Sequence, residues 1–264
     1  MFLIRTIRRM AKRPFGLLTL VLMGAIFVLG LLNLGLVALR AADSAPDYPP
    51  RALIYVTTFD AFNEHWSTFP GQIRAEISDG VLVITSDSSN AGAFSLLNQQ
   101  IRDFDLTVQT EWRTISSPAD QIGVLFRYQN ADNYYTFKIR SDGAYLVGMK
   151  AQGEDEIPLS QWQINPAIHT EPNATNLIQI IARRYTFEFY VNGIQLPVCP
   201  KGNDRRSTWR SLTSGECLSN GGRTRDQLAE ATFEEGKIGV GMVAGDLGAS
   251  VGFDNVIILG ARPQ

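Results

Sequence analysis

The stretch GVLFRYQNADNYYTFKIRSDGAYLVGMK, residues 123–150, decides the fold. Within residues 134–140, Tyr135, Phe137 and Ile139 are apolar on one side, while Tyr134, Thr136, Lys138 and Arg140 share the other. A period of two marks a β-strand with one buried face. Asn130-Ala131-Asp132-Asn133 and Ser141-Asp142-Gly143 are runs of turn-forming residues that separate this strand from 123–128 and 144–150. The stretch reads as three consecutive antiparallel strands joined by tight turns.

The same pattern continues in both directions. Strands are expected over 54–59, 74–78, 81–86, 93–97, 104–113, 177–182, 186–191, 237–244 and 250–259, with Ser78-Asp79-Gly80 and Asn192-Gly193 as hairpin turns. In 104–113, Phe104, Leu106, Val108 and Trp112 share the core side, and Gln109, Glu111 and Arg113 the other. In 186–191, Phe187, Phe189 and Val191 point inward, and Glu188 and Tyr190 outward. Twelve short strands without an amphipathic helix make residues 53–260 an all-β antiparallel sandwich.

Upstream the period changes. Residues 15–39 hold no charged side chain and only Thr19 and Asn33 as clearly polar members. A helix over them would reach roughly 37 Å, longer than the ~30 Å hydrocarbon core of a bilayer, so the stretch predicts one transmembrane helix. Arg5, Arg8, Arg9, Lys12 and Arg13 precede it in a basic tail, 1–14, which the positive-inside tendency places in the cytoplasm. A cleaved signal peptide is the competing reading, but its apolar core is ~7–15 residues and its exit needs small residues where Leu39 and Arg40 stand. The expected protein is a single-pass signal-anchor protein of the cytoplasmic membrane, in contact with lipid, its carboxy-terminal domain periplasmic or extracellular. Pro46, Pro49 and Pro50 mark 40–52 as an extended spacer.

Residues 1–40 contain 6 of the 24 basic residues and no acid, leaving 18 basic against 26 acidic, a net charge of −8, in the remainder. Such an acidic exported domain argues against a nucleic-acid partner. Its only cysteines, Cys199 and Cys217, suit a disulfide in an oxidising compartment; free thiols or a metal site are the alternatives, the latter weakened because His65 and His169 are remote in sequence.

The motifs Thr58-Phe59-Asp60, Gly123-Val124-Leu125-Phe126-Arg127-Tyr128, Asn133-Tyr134-Tyr135-Thr136-Phe137, Tyr190-Val191-Asn192-Gly193, Gly236-Lys237-Ile238-Gly239-Val240 and Phe253-Asp254-Asn255-Val256 resemble those of bacterial concanavalin A-like jelly-roll domains. Within that group the chain is similar to the laminin-G and family-16-glycosidase-like set that includes the 3-keto-disaccharide hydrolase domain. The resemblance spans residues 54–259. It implies a curved two-sheet jelly roll whose concave face binds saccharides. The Glu-x-Asp-x-x-Glu strand of true family-16 glucanases is missing, which counts against glucanase activity, while the 3-keto-disaccharide hydrolase likeness keeps a glycoside-acting enzyme as the alternative. Glu154-Asp155-Glu156 is contiguous and reads as a solvated acidic loop.

Candidate sites follow. A polar sheet face with Glu111, Arg113, Arg127, Tyr134, Lys138, Glu188 and Tyr190 would bind glycan or cell-envelope polysaccharide, the alternative being an ordinary solvated face. Asp60 and Asp254 would hold a structural calcium ion where first and last strands meet; the alternative is that Asp254-Asn255 hydrogen-bonds a strand end. No other cofactor is expected. Residues 196–233 form a cysteine-closed insertion whose Arg205, Arg206, Trp209 and Arg210 would dock a protein partner, or simply decorate a stapled loop. Two functions stand open: a non-catalytic tethered module binding glycan or a protein, including service as an accessory subunit of an integral membrane complex, and a glycoside-acting hydrolase.

Overall fold

The computed structural model describes residues 45–263 except 62, 201–216 and 218–223, together with Ala25, Val28 and Leu29. The chain forms two units, Met1–Ser44 and Ala45–Gln264. Ala25, Val28 and Leu29 are helical; the rest of the expected 15–39 helix lies outside the described residues. Among the described residues no helix is long and apolar enough to cross a membrane.

The second unit contains β1 (Leu53–Thr57), β2 (Ile73–Ser78), β3 (Val81–Ser86), β4 (Ala91–Leu96), β5 (Phe104–Thr114), β6 (Gln121–Asn130), β7 (Asn133–Arg140), β8 (Ala144–Lys150) and β9 (Ile157–Ile164). It continues with β10 (Thr175–Arg183), β11 (Thr186–Val191), β12 (Ile194–Gln195), β13 (Leu228–Ala229), β14 (Lys237–Ala244) and β15 (Ala249–Leu259). Nine strands make one antiparallel sheet in the order β12-β11-β10-β5-β15-β3-β2, with β1 along β15 and β13 along β11. The other sheet is β4-β14-β6-β7-β8-β9. The expected hairpin turns at 78–80 and 192–193 form: Asp79 and Gly80 lie at φ 52° and 75°, Asn192 and Gly193 at 52° and 78°. Two consecutive left-handed residues suit the right-handed twist of the strands they join, and Asn, Asp and Gly reach that region most cheaply.

The sheets pack through the apolar side of each strand. Leu106, Val108, Ile178, Ile180, Phe187 and Phe189 from one layer meet Val124, Phe126, Tyr135, Phe137, Val240 and Met242 from the other, all fully buried. Phe137 stacks on Phe189 across the layers at 5.1 Å between centroids. Burying side chains of this size contributes on the order of 1.5–3 kcal/mol each, which is why the alternation fixes register. Trp112 is buried as its spacing implies, its indole N–H donating to the His169 carbonyl at 3.0 Å.

Three expectations change. β9 is a strand that the alternation does not signal: it begins directly after the acidic run 154–156, which stays outside any strand, and it is an edge strand, where a proline such as Pro158 is tolerated. The described part of the spacer is docked: Ala45 N–H donates to Glu235 at 3.1 Å, Gln99 donates to the Tyr48 hydroxyl at 3.1 Å, and Arg51 N–H donates to the Gly260 carbonyl at 2.7 Å. Proline content marks a break in regular structure, but the residues between the prolines keep groups that bind the domain. The insertion is woven in at both ends: Leu196 and Val198 are fully buried, β13 pairs with β11, and Phe233 is buried. Cys199 and Cys217 form the expected disulfide.

Candidate functional site

On the outer face of the six-stranded sheet, small residues line the middle of the strands. A side chain at Gly241 would meet the Ala93 carbonyl and the Phe94 ring at 2.3 Å; one at Gly148 would meet the Glu156 carboxylate at 2.4 Å. The glycines thus let Phe94 and Glu156 lie against the sheet. Lys138 Nζ donates to both Glu156 oxygens at 2.8 and 2.7 Å, and Thr136 Oγ1 donates to Oε1 at 2.9 Å. Beside them Tyr128 and Tyr134 stack at 5.9 Å. Burial, and next the Glu156 charge, raise the Tyr134 hydroxyl pKa, keeping it a neutral hydrogen-bonding group. The Arg140 guanidinium lies 4.8 Å from the Trp162 ring centroid while pairing with Asp142. A stacked aromatic pair next to a fixed cation and carboxylate offers apolar faces and directed donors and acceptors together.

Of the residues expected on one polar face, Tyr134 and Lys138 belong here. Glu111, Arg113, Glu188 and Tyr190 lie instead on the nine-stranded sheet, because β5 and β11 are its members. There Arg113 donates to Glu111 at 3.2 Å, and Glu188 binds Arg183, the Tyr190 hydroxyl at 2.7 Å and Gln227 at 2.8 Å. Alternation identifies which side of a strand is polar, but not which sheet the strand joins.

Arg127 is on neither face. The register slips between Phe126 and Asn130, Arg127 takes φ 50°, and its side chain is fully buried. It donates to the Phe233 carbonyl at 2.8 Å and lies 4.9 Å from the Phe187 ring centroid. Burial lowers its pKa, against the raising effect of Asp103. The same bulge turns Tyr128 outward, where strict alternation would put it beside Phe126 in the core. Tyr128, Thr136, Arg140, Glu156 and Trp162 are therefore site residues that sequence reasoning left unassigned. Glu154 and Asp155 are exposed as expected of a loop, but Glu156 is half-buried over Gly148.

Asp60 accepts a hydrogen bond from Thr58 at 2.6 Å, and Asp254 accepts from Asn255 N–H and Nδ2 at 2.6 and 3.0 Å. Among the described residues no cluster of three or more His, Cys, Asp or Glu side chains is placed to hold a metal ion. Arg205, Arg206, Trp209 and Arg210 lie outside the described residues.

No family model matches the sequence, and no curated protein matches it. Solved structures do. A Bacillus subtilis protein with a galectin-like fold superposes with a TM-score of 0.50 at 11% identity, covering 81% of this chain and 100% of its own. The sandwich is galectin-like. The Emp46p carbohydrate recognition domain, in its potassium-bound form, gives a TM-score of 0.52 at 8% identity over 79% of this chain and 98% of its own. A structure from endo-acting O-glycanases of the human gut microbiota, which initiate mucin breakdown, gives 0.51 at 9% identity over 80% and 100%. At such identities the likeness concerns the fold alone.

Proposed function

We propose that the chain is a non-catalytic glycan-recognition module, held outside the cytoplasmic membrane by a helix over residues 15–39. The observation that carries the glycan reading is the Tyr128–Tyr134 stack beside the Lys138–Glu156 pair on one sheet face. Saccharides present C–H faces that lie on aromatic rings and hydroxyls that need fixed donors and acceptors, and this face supplies both. The solved structures that superpose on this chain include a carbohydrate recognition domain, which supports the same reading. Glycoside hydrolysis ordinarily needs two carboxylates in acid and base or nucleophile roles. Here Lys138 engages both oxygens of Glu156, an arrangement suited to holding a ligand rather than cycling a proton. The apolar segment, the basic tail before it and the disulfide support membrane tethering with an exported domain.

The test is a glycan array probed with Ala45–Gln264, a fragment that retains the docked residues 45–52. Retention of envelope or extracellular saccharides, lost in Tyr134→Ala, is expected. No retention of any saccharide would refute glycan recognition, and turnover of a retained glycoside would refute the non-catalytic assignment.

A further inference from the structure

A cleft of about 520 Å³ opens where the β10–β11 turn meets carboxy-terminal residues 261–263. Its walls include Arg183, Arg184 and Arg262, the single acid Asp103, and the rings of Tyr48 and Tyr185. The acid is already engaged: Asp103 Oδ1 accepts the Arg184 backbone N–H at 2.8 Å and lies 3.5 Å from the buried Arg127 guanidinium. Arg183 is paired with Glu188. Among the described residues neither Arg184 nor Arg262 has a carboxylate within ion-pair distance. Two guanidinium groups with no carboxylate partner among the described residues thus share one cleft of a domain whose residues 41–264 carry a net charge of −8. Arg184 stands at φ 48°, a left-handed conformation unfavourable for arginine, held there by the bond to Asp103.

We propose that this cleft binds a phosphoryl group, presented by the headgroup of an anionic phospholipid. Guanidinium N–H groups form a planar fork that matches phosphate oxygens. Tyr185, 50% exposed, and Tyr48 give the rim amphipathic rings of the kind enriched at headgroup level in membranes. In the sequence Tyr48 follows Leu39 by nine residues, so the lipid source rests on the proposed 15–39 span, whereas the phosphoryl chemistry rests on the arginines alone.

The domain Ala45–Gln264 contains its entire core, Phe59 to Ile258, and serves as the test protein. Flotation with phosphatidylcholine vesicles, with and without phosphatidylglycerol, is compared with calorimetric titration of inorganic phosphate, for wild type and R184A/R262A. Arginines near an anionic surface each contribute enough that losing two weakens binding about thirtyfold. Flotation only with phosphatidylglycerol vesicles, weakened about thirtyfold in the variant, supports the headgroup site. Phosphate binding that the variant loses, without flotation, supports the phosphoryl site and assigns it a soluble ligand. Binding unchanged in the variant, or no binding of either probe, overturns the proposal. Alkaline extraction of the full chain from membranes tests the span separately: release would refute the anchor while leaving both fragment results standing.

Discussion

Tyr135 links the two layers of the sandwich to the end of the insertion, and its removal has a signature that depends on pH. Its ring is fully buried between Phe126 and Phe187, and its hydroxyl accepts the Phe233 N–H at 2.9 Å. Burial pushes its pKa up from 10.0 to about 12. The folded state therefore keeps this proton after the unfolded chain has released it. Its contribution to stability is complete below pH 10 and is lost as pH rises towards and through 12. At 1.36 kcal/mol per unit, the loss is on the order of 2–3 kcal/mol. Tyr135→Phe cannot ionise, but it strands the buried Phe233 N–H at a cost of about 1–2 kcal/mol at every pH. The two stability curves should cross near pH ~11, with the variant less stable below and more stable above. Urea unfolding of Ala45–Gln264 at intervals from pH 8 to beyond pH 11 measures this, other groups titrating equally in both proteins. Parallel curves would refute the assignment of the alkaline loss to Tyr135.

Three further perturbations probe the frame. Replacing Cys199 and Cys217 by alanine opens a loop whose ends are 18 residues apart and should cost about 3 kcal/mol, read as a lower urea midpoint; an unchanged midpoint would show that the bond adds no stability. Gly241→Ala drives a methyl group to 2.3 Å from the Ala93 carbonyl and the Phe94 ring, and calorimetry should show destabilisation of about 1–3 kcal/mol. The Arg140 hydrogen bond holds the Asp142 carboxyl below the ordinary range, a contribution present above the unfolded value and lost as pH falls through the folded one. Asp142→Asn should therefore flatten the acid limb of the stability profile, and an unaltered limb would exclude that role.

The fold was legible wherever one face of a strand is buried. The alternations at 104–113, 134–140 and 186–191 set sides that the structure keeps, and Asp79-Gly80 and Asn192-Gly193 turn where the chain needs two left-handed residues. Five of the seven residues expected on the candidate face do not lie there, for physical reasons. A single bulge at Arg127 exchanges inside and outside for Arg127 and Tyr128, and a period cannot register an extra residue. Sheet membership is a non-local property, so Glu188 and Lys138 look alike in sequence although β11 and β7 belong to different layers. Glu156 was hidden by its acidic neighbours, its position over Gly148 being set by β8–β9 pairing.

The glycan-reading face is tested most directly by titrating one array-retained saccharide into three proteins: wild type, Y134A/K138A and E188Q/Y190F. Loss of an aromatic surface and a charged donor should weaken binding about tenfold or more in Y134A/K138A, while E188Q/Y190F, altered on the opposite sheet, should match wild type. Weakened binding in E188Q/Y190F with wild-type affinity in Y134A/K138A would contradict the assignment and place recognition on the nine-stranded sheet.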